Sequence, residues 1–322
     1  MPKTNISPPT QRIRGVLAPV VTPFKPDLSP DRERFIRHCQ WLFSQNCGLA
    51  PFGTTSEANS MSAEERMTLL DALLAAGVDP SRIMPGTGCC SITETVALTA
   101  HAVKHGCAGV LMLPPFYYKD VGEEGLYRYF SEVVQRVGDT RLKIYLYHIP
   151  PVAIVGVTPK LVERLLRGYP NTIAGMKDSS SDWNNTKTFL DAFAVRAGRA
   201  VSEFDVFVGS ESFLLANMRN GGVGTISATA NVNPAAIHKL YDEWDTADDP
   251  DQQQSKLNLV RDVFSSRKFP SMIAALKQAI AIYKNDPDWI RVRPPLMELT
   301  TGQAKLLTAE LNAIGFAMPG LH

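Results

Sequence analysis

The chain has 322 residues, 33 Lys+Arg against 32 Asp+Glu, and 44% hydrophobic residues, which is an ordinary globular composition with room for a large core. The near-zero net charge gives no footing for nucleic acid or a membrane surface, and no apolar run nears the roughly 18 residues of a spanning helix. The polar start Met1-Pro2-Lys3-Thr4-Asn5 lacks a signal-peptide core, and the five cysteines (Cys39, Cys47, Cys89, Cys90, Cys107) show no zinc spacing, so a reduced, cytoplasmic protein is expected.

Met1 to Gln11 reads as a loose arm. Ile13 to Val21 is the first expected strand, weakened by Pro19, which lacks a ladder donor. Pro30 to Gln45 is helical, with Phe35, Cys39, Leu42 and Phe43 on one face. Gly48 to Phe52 is the second strand and runs into Gly53-Thr54-Thr55-Ser56-Glu57. Ser62-Ala63-Glu64-Glu65 is a capping box that opens a helix. Arg82 to Gly86 is the third strand, and Ser91-Ile92-Thr93-Glu94 starts the next helix. Gly109 to Leu113 is the fourth strand, followed by Pro114-Pro115-Phe116-Tyr117-Tyr118 and a helix from Glu123 to Val137.

Leu142 to Tyr147 is the fifth strand, ending at His148-Ile149-Pro150-Pro151. Thr158-Pro159 pairs an N-cap with an N1 proline. Ile173 to Met176 is the sixth strand, with Lys177 at its end. A helix over 184–193 follows. Phe204 to Val208 is the seventh strand, leading into Gly209-Ser210-Glu211-Ser212 and a short helix from Phe213 to Asn220. Gly224 to Ser227 is the eighth, with its helix from Pro234 to Trp244.

Eight strand–helix units in about 245 residues fit a (β/α)₈ TIM barrel. A doubly wound sheet would be marked by Gly-x-Gly-x-x-Gly after the first strand. Gly86-Thr87-Gly88 follows the third, lacks the last glycine, and reads as a turn. After Asp245 the polar run Thr246 to Asp251 marks a break. Helices are expected at about 251–267, 270–284 and 302–314. The expected organisation is thus a barrel over 1–245 and a C-terminal helical extension over 246–322 packed on it.

Chemistry in such a barrel sits at the C-terminal strand ends. There the sequence places Gly53-Thr54-Thr55, Tyr117-Tyr118, Tyr147-His148, Lys177, Ser210-Glu211 and Ile226-Ser227. These residues form no metal-ligand cluster and no Ser-His-Asp set. No metal or cofactor is therefore expected. A buried lysine beside a phenol and hydroxyls suits imine chemistry on a ketone, since desolvation favours the neutral, nucleophilic amine.

With these residues in view, the chain resembles the dihydrodipicolinate synthase / N-acetylneuraminate lyase family of class I, pyruvate-using aldolases. Gly53-Thr54-Thr55-Ser56-Glu57 is similar to the family's Gly-[Thr/Ser]-Thr-Gly-Glu. Tyr147 in Leu146-Tyr147-His148-Ile149-Pro150 is similar to the tyrosine of Tyr-Asn-x-Pro. Lys177 in Gly175-Met176-Lys177-Asp178-Ser179 resembles the Schiff-base lysine. Gly224 to Asn231 and Arg293-Pro294-Pro295-Leu296 extend the match over nearly the whole chain.

The resemblance implies that Lys177 forms an imine with pyruvate or another 2-oxo acid, while an aldehyde is the co-substrate. Tyr147 would shuttle protons. Thr54 and a tyrosine from another subunit, Tyr117 or else Tyr118, would extend the relay, in a homo-oligomer built as a dimer of dimers. Gly53, Thr54 and Thr55 would hold the carboxylate, and the Ile226 carbonyl would face the site. His148, Ser210 and Glu211 are candidate substrate contacts, and Glu57 is expected to brace the loop.

Departures bear on the substrate. Dihydrodipicolinate synthases carry an arginine where this chain has Val152, and the aromatic-acidic pair of the lyase branch is Ser210-Glu211 here. Pro150 to Val155 makes this wall apolar, which points to a less charged or bulkier second substrate. The expected activity is therefore a Schiff-base lyase or aldolase acting next to a pyruvate unit. The alternatives are 4-hydroxy-tetrahydrodipicolinate synthase, a 2-keto-3-deoxy sugar acid dehydratase or aldolase, and a non-catalytic 2-oxo-acid-binding barrel.

Overall fold

A computed structural model describes residues 12–194 and 204–321; the expected arm Met1 to Gln11 lies outside the described residues. From the N-terminus run β1 (Gly15–Ala18), α1 (Arg32–Ser44), β2 (Gly48–Leu49), α2 (Ala63–Ala75), α3 (Ile92–Lys104), β3 (Val110–Met112), α4 (Glu123–Val137) and β4 (Ile144–His148). Next come α5 (Pro150–Ala153), α6 (Pro159–Gly168), β5 (Ile173–Asp178), α7 (Trp183–Phe193), β6 (Asp205–Val208), α8 (Leu214–Arg219), β7 (Gly224–Ile226) and α9 (Pro234–Glu243). The chain closes with α10 (Pro250–Phe264), α11 (Met272–Lys284) and α12 (Thr301–Ala313).

The strands form one parallel sheet in the order β2-β1-β7-β6-β5-β4-β3. The third expected strand differs from its reading. Its residues make isolated parallel bridges, Leu49 to Ile83 and Gly86 to Leu111, one toward each edge of the sheet. Met84 N–H donates to Leu49 O at 2.8 Å, and Leu111 N–H to Pro85 O at 2.9 Å. Pro85 has no N–H to donate, which limits the run to scattered bonds rather than a ladder. Gly86 and Gly88 also do more than turn the chain. A Cβ on Gly86 would lie 2.2 Å from Phe52 O, and one on Gly88 2.2 Å from Leu113 N. Neighbouring backbone passes where a side chain would stand.

The curled parallel sheet with its helical coat is a TIM-like barrel. Leu17, Leu111, Tyr145, Tyr147, Ala174, Phe207 and Ile226 fill its interior. Alternation along β4 sends Ile144 and Leu146 the other way, into a layer with residues of α4, α6 and α7. Helix starts follow their caps: Ser62 and Glu65 close the capping box, and the Thr158 side chain accepts from Leu161 N–H. Leu257 and Phe264 of α10, Leu276 and Ile280 of α11, and Leu307 and Leu311 of α12 join the same core as α1 and α2. The helical extension is thus welded to the barrel by shared apolar burial, the main favourable term in folding.

Candidate active site

β4 and β5 lie side by side, and their register pairs Tyr147 with Lys177. The register shifts after Ile144, at the point where Gly175 sits. A Cβ there would meet Asp205 O at 2.3 Å and the Tyr145 ring at 2.9 Å. Glycine lets the strands close up just before the lysine. Lys177 and Tyr147 both point inward, and each is 4% exposed. Lys177 Nζ is 3.4 Å from Tyr147 Oη and 4.4 Å from its ring centre. Tyr147 Oη is in turn 3.3 Å from Thr54 Oγ1. An amine, a phenol and a hydroxyl thus form a chain, which can move protons between a nitrogen and a bound ligand.

The Thr54 loop is held from several sides. Ser56 Oγ accepts from Phe52 N–H at 2.9 Å, and the Thr22 hydroxyl donates to Ser56 O at 2.8 Å. Glu57 has a left-handed backbone, φ 58°. Its carboxylate takes Lys277 Nζ at 2.5 Å and the Arg293 N–H at 2.7 Å. Burial pushes Lys277 down to about 8, against the raising pull of Glu57. The clamp therefore comes from the helical extension and anchors the loop that carries Thr54. Among the described residues, no hydrogen bond is made by the N–H groups of Thr54 and Thr55, so both can serve a ligand oxygen.

A cavity of about 200 Å³ opens over Lys177. It is lined by Thr54, Thr55 and Tyr147, by Ile149, Pro151 and Val152 on one wall, and by Ser210, Phe213, Ala228 and Arg261 on another. Several expected contacts sit elsewhere. His148 follows Tyr147 and so alternates to the outer face. Its Nδ1 accepts from Val157 N–H at 2.9 Å, and its ring packs on Phe189. Burial holds it below the ordinary histidine range, against the Asp178 carboxylate.

Glu211 is 1% exposed, and its carboxylate is occupied by the hydroxyls of Ser227 and Thr229 and by Arg261 Nη1 at 3.0 Å. It holds Arg261 in place and is not among the residues that line the cavity. Ile226 is fully buried in the barrel interior. Gly53 begins the loop but is not among the lining residues, whereas Ser210 is. Tyr117 and Tyr118 are 72% and 74% exposed, packed edge to face, and away from this chain's own cavity.

Arg261 was not anticipated from the sequence. It arrives on α10, far along the chain from the barrel strands, and no local pattern marks it. The wall read as uncharged from Val152 is apolar, but the opposite wall carries this guanidinium.

Comparison with known proteins places this geometry. The chain matches the model of the dihydrodipicolinate synthetase family over residues 12–314. It is 30% identical, over 94% of its length and 97% of the relative's, to an uncharacterized DapA-like lyase of Chloroflexus aurantiacus. It is 38% identical to the 4-hydroxy-tetrahydrodipicolinate synthase of Thermus thermophilus, over 71% of this chain and 73% of that one. Its fold is similar, with a TM-score of 0.82, to a prophage protein of the dihydrodipicolinic acid synthase family from E. coli K12 solved in complex with pyruvate. That match has 25% identity and covers 95% of this chain and 99% of the other. The chain belongs to the dihydrodipicolinate synthetase family.

Proposed function

We propose that this chain makes or breaks a carbon–carbon bond next to a pyruvate unit, through an imine on Lys177. It is a lyase of the lysine Schiff-base class. The observation that carries the reading is the run Lys177–Tyr147–Thr54, with Lys177 and Tyr147 buried and contacts of 3.4 Å and 3.3 Å.

Lys177 adds to the keto carbon of pyruvate, and the carbonyl oxygen leaves as water to give the imine. Tyr147 carries protons to and from that nitrogen and oxygen, with Thr54 behind it. The N–H groups of Thr54 and Thr55 and the Thr54 hydroxyl hold the carboxylate, and the Ile226 carbonyl faces the site. Loss of a proton from the methyl carbon gives the enamine, which attacks the carbon of an aldehyde whose oxygen takes up a proton. Hydrolysis then frees the lysine. Run backwards, the same steps cleave the bond.

The second substrate has an apolar flank for Ile149, Pro151 and Val152, and an anionic or hydroxyl-rich end for Arg261 and Ser210. Val152 cannot supply the charge-assisted contact that an arginine would, so Arg261 is the cation that selects this substrate.

We further propose that a second copy delivers Tyr117 to the relay. Tyr117, Tyr118, Val152 and Ile154, each at least 61% exposed, lie on the loop after β3 and on α5 with its C-cap, joined by Lys119, whose Nζ reaches Phe116 O at 2.5 Å and Ala153 O at 3.4 Å. Such an apolar rim suits contact between subunits. The third expected strand, 82–86, is read as completing the eight staves of the barrel, residues 1–245 as the catalytic domain and 246–322 as its helical extension, in a protein of the cytoplasm.

Borohydride reduction in the presence of pyruvate tests the assignment. The pyruvate-derived mass is expected on the peptide that contains Lys177. Folded protein that takes no label, or takes it on another lysine, overturns it.

A further inference from the structure

Away from the cavity, three ligand-type side chains converge on the helical coat. His101 lies in the last turn of α3, and His105 caps that helix one turn on, so the two share a face. Asp71 comes from α2. One donor atom from each lies within 4.8 Å of the other two. Asp71 Oδ1 is 2.7 Å from His101 Nε2 and 3.3 Å from His105 Nε2.

Closeness here is not hydrogen bonding. His101 Nε2 is buried, yet it makes no hydrogen bond despite the carboxylate 2.7 Å away. An imidazole nitrogen and a carboxylate oxygen set side by side with no hydrogen bond between them are an arrangement that a shared ion would satisfy. Zinc bonds of 2.0–2.1 Å in tetrahedral geometry put donor atoms about 3.3 Å apart, which matches Asp71 to His105 and asks Asp71 and His101 to part by about 0.6 Å. The inner side of the cluster is closed by His101, whose side chain is 18% exposed. The outer side is open, with His105 33% and Asp71 50% exposed, which leaves a fourth position for solvent.

We propose that Asp71, His101 and His105 bind a divalent transition-metal ion of the zinc type, at a site separate from the Lys177 cavity. Two imidazoles and one carboxylate favour zinc, nickel or copper over magnesium and calcium, which prefer all-oxygen sites. The ion would tie α2 to α3. His101 also borders a small void with Phe52, Pro85, Gly86 and Thr87, so the tie braces the run that bridges the two sheet edges. Its role is stability, since an ion that binds the folded state alone raises the melting temperature by mass action.

The test uses full-length protein stripped with a chelator, in a Cys90→Ser background so that the exposed thiol does not compete. Calorimetric titration with Zn²⁺ is expected to show one ion per chain. Melting curves should rise with Zn²⁺ and stay unchanged with Mg²⁺. His105→Gln and Asp71→Asn, both on the open side, should each weaken binding by at least about tenfold. Absence of Zn²⁺ binding, or equal affinity in these variants and the parent, overturns the site. Because neither variant touches the closed side, a folding defect in His101→Gln does not spoil the test.

Discussion

Tyr147 and Lys177 are register partners on adjacent parallel strands, and their side chains meet over the barrel interior with 3.4 Å between phenol oxygen and amine nitrogen. Both are almost fully buried. Tyr147→Phe keeps the ring and its packing but removes the hydroxyl. Turnover is expected to fall by about 10²–10⁴-fold, the usual worth of a positioned acid–base group. Borohydride labelling of Lys177 should survive, more slowly. A Phe variant with parental turnover would remove Tyr147 from the relay.

Tyr117 is exposed in the single chain, and the proposal gives it a role in a neighbour's site. Complementation can read that directly. Lys177→Ala and Tyr117→Phe should each be nearly inactive alone. Mixed and reassembled, they should recover up to about a quarter of parental activity if subunits pair at random, since one site of the mixed pair holds both intact residues. No recovery in verified mixed oligomers would place the relay within one chain, or on Tyr118.

Much of this was legible before the fold. The seven strands fall where apolar runs end in turn residues, and Ser62 and Thr158 mark helix starts by capping chemistry. Lys177, Tyr147 and Thr54 were readable because the (β/α) pattern sends strand ends to one mouth. His148 and Glu211, candidate contacts in the sequence, are not among the residues that line the cavity. Alternation along β4 could have turned His148 outward. Nothing local could reveal that Glu211 is engaged by Ser227, Thr229 and Arg261, because those partners come from the turn after β7 and from α10. The same holds for Glu57 and Lys277, which are 220 residues apart in sequence.

That last pair gives a stability prediction. Neither side chain is exposed. Lys277→Met leaves the Glu57 carboxylate buried with the Arg293 N–H alone. Breaking a buried pair on one side costs about 3–5 kcal/mol. The double change Lys277→Met with Glu57→Gln should recover much of that loss. Urea unfolding measures both, and equal stabilities for the single and double variants would sink the coupling. Because Glu57 anchors the Thr54 loop, the single variant should also raise KM for pyruvate.

His38 supplies a pH dependence. It is fully buried between Trp41 and Trp289. Burial pulls it from 6.5 down to about 3, against an opposing pull from Asn231. Asn231 is committed elsewhere, donating to Pro19 O and Ala228 O and accepting from Val21 N–H, so His38 is held neutral. A folded-state value below the unfolded one means the stability is whole above pH 6.5 and is lost as pH falls toward 3, by on the order of 5 kcal/mol at most. His38→Phe should flatten the acid limb of stability against pH by one proton across that window. An unchanged slope would show that another group governs it.

Arg261 is the proposed selector between acceptors. Its Nη1 is held by Glu211 at 3.0 Å and by Ser227 Oγ at 3.1 Å, and the side chain lines the cavity opposite Val152. Anchoring one edge of a guanidinium lowers the entropy lost when the other edge grips a carboxylate or phosphate. A hydrogen bond to a charged group is worth about 1.5–3 kcal/mol, or roughly 10- to 150-fold in kcat/KM. Arg261→Gln should therefore cut kcat/KM by that factor for aldehydes with an anionic group and leave neutral aldehydes within about twofold. Glu211→Gln should show a smaller loss of the same selectivity, because it loosens the anchor and leaves the cation. Pyruvate labelling of Lys177 should be untouched in both. Equal losses on charged and neutral acceptors would mean that Arg261 braces the wall, and the source of acceptor selectivity would then lie on the Ile149–Val152 side.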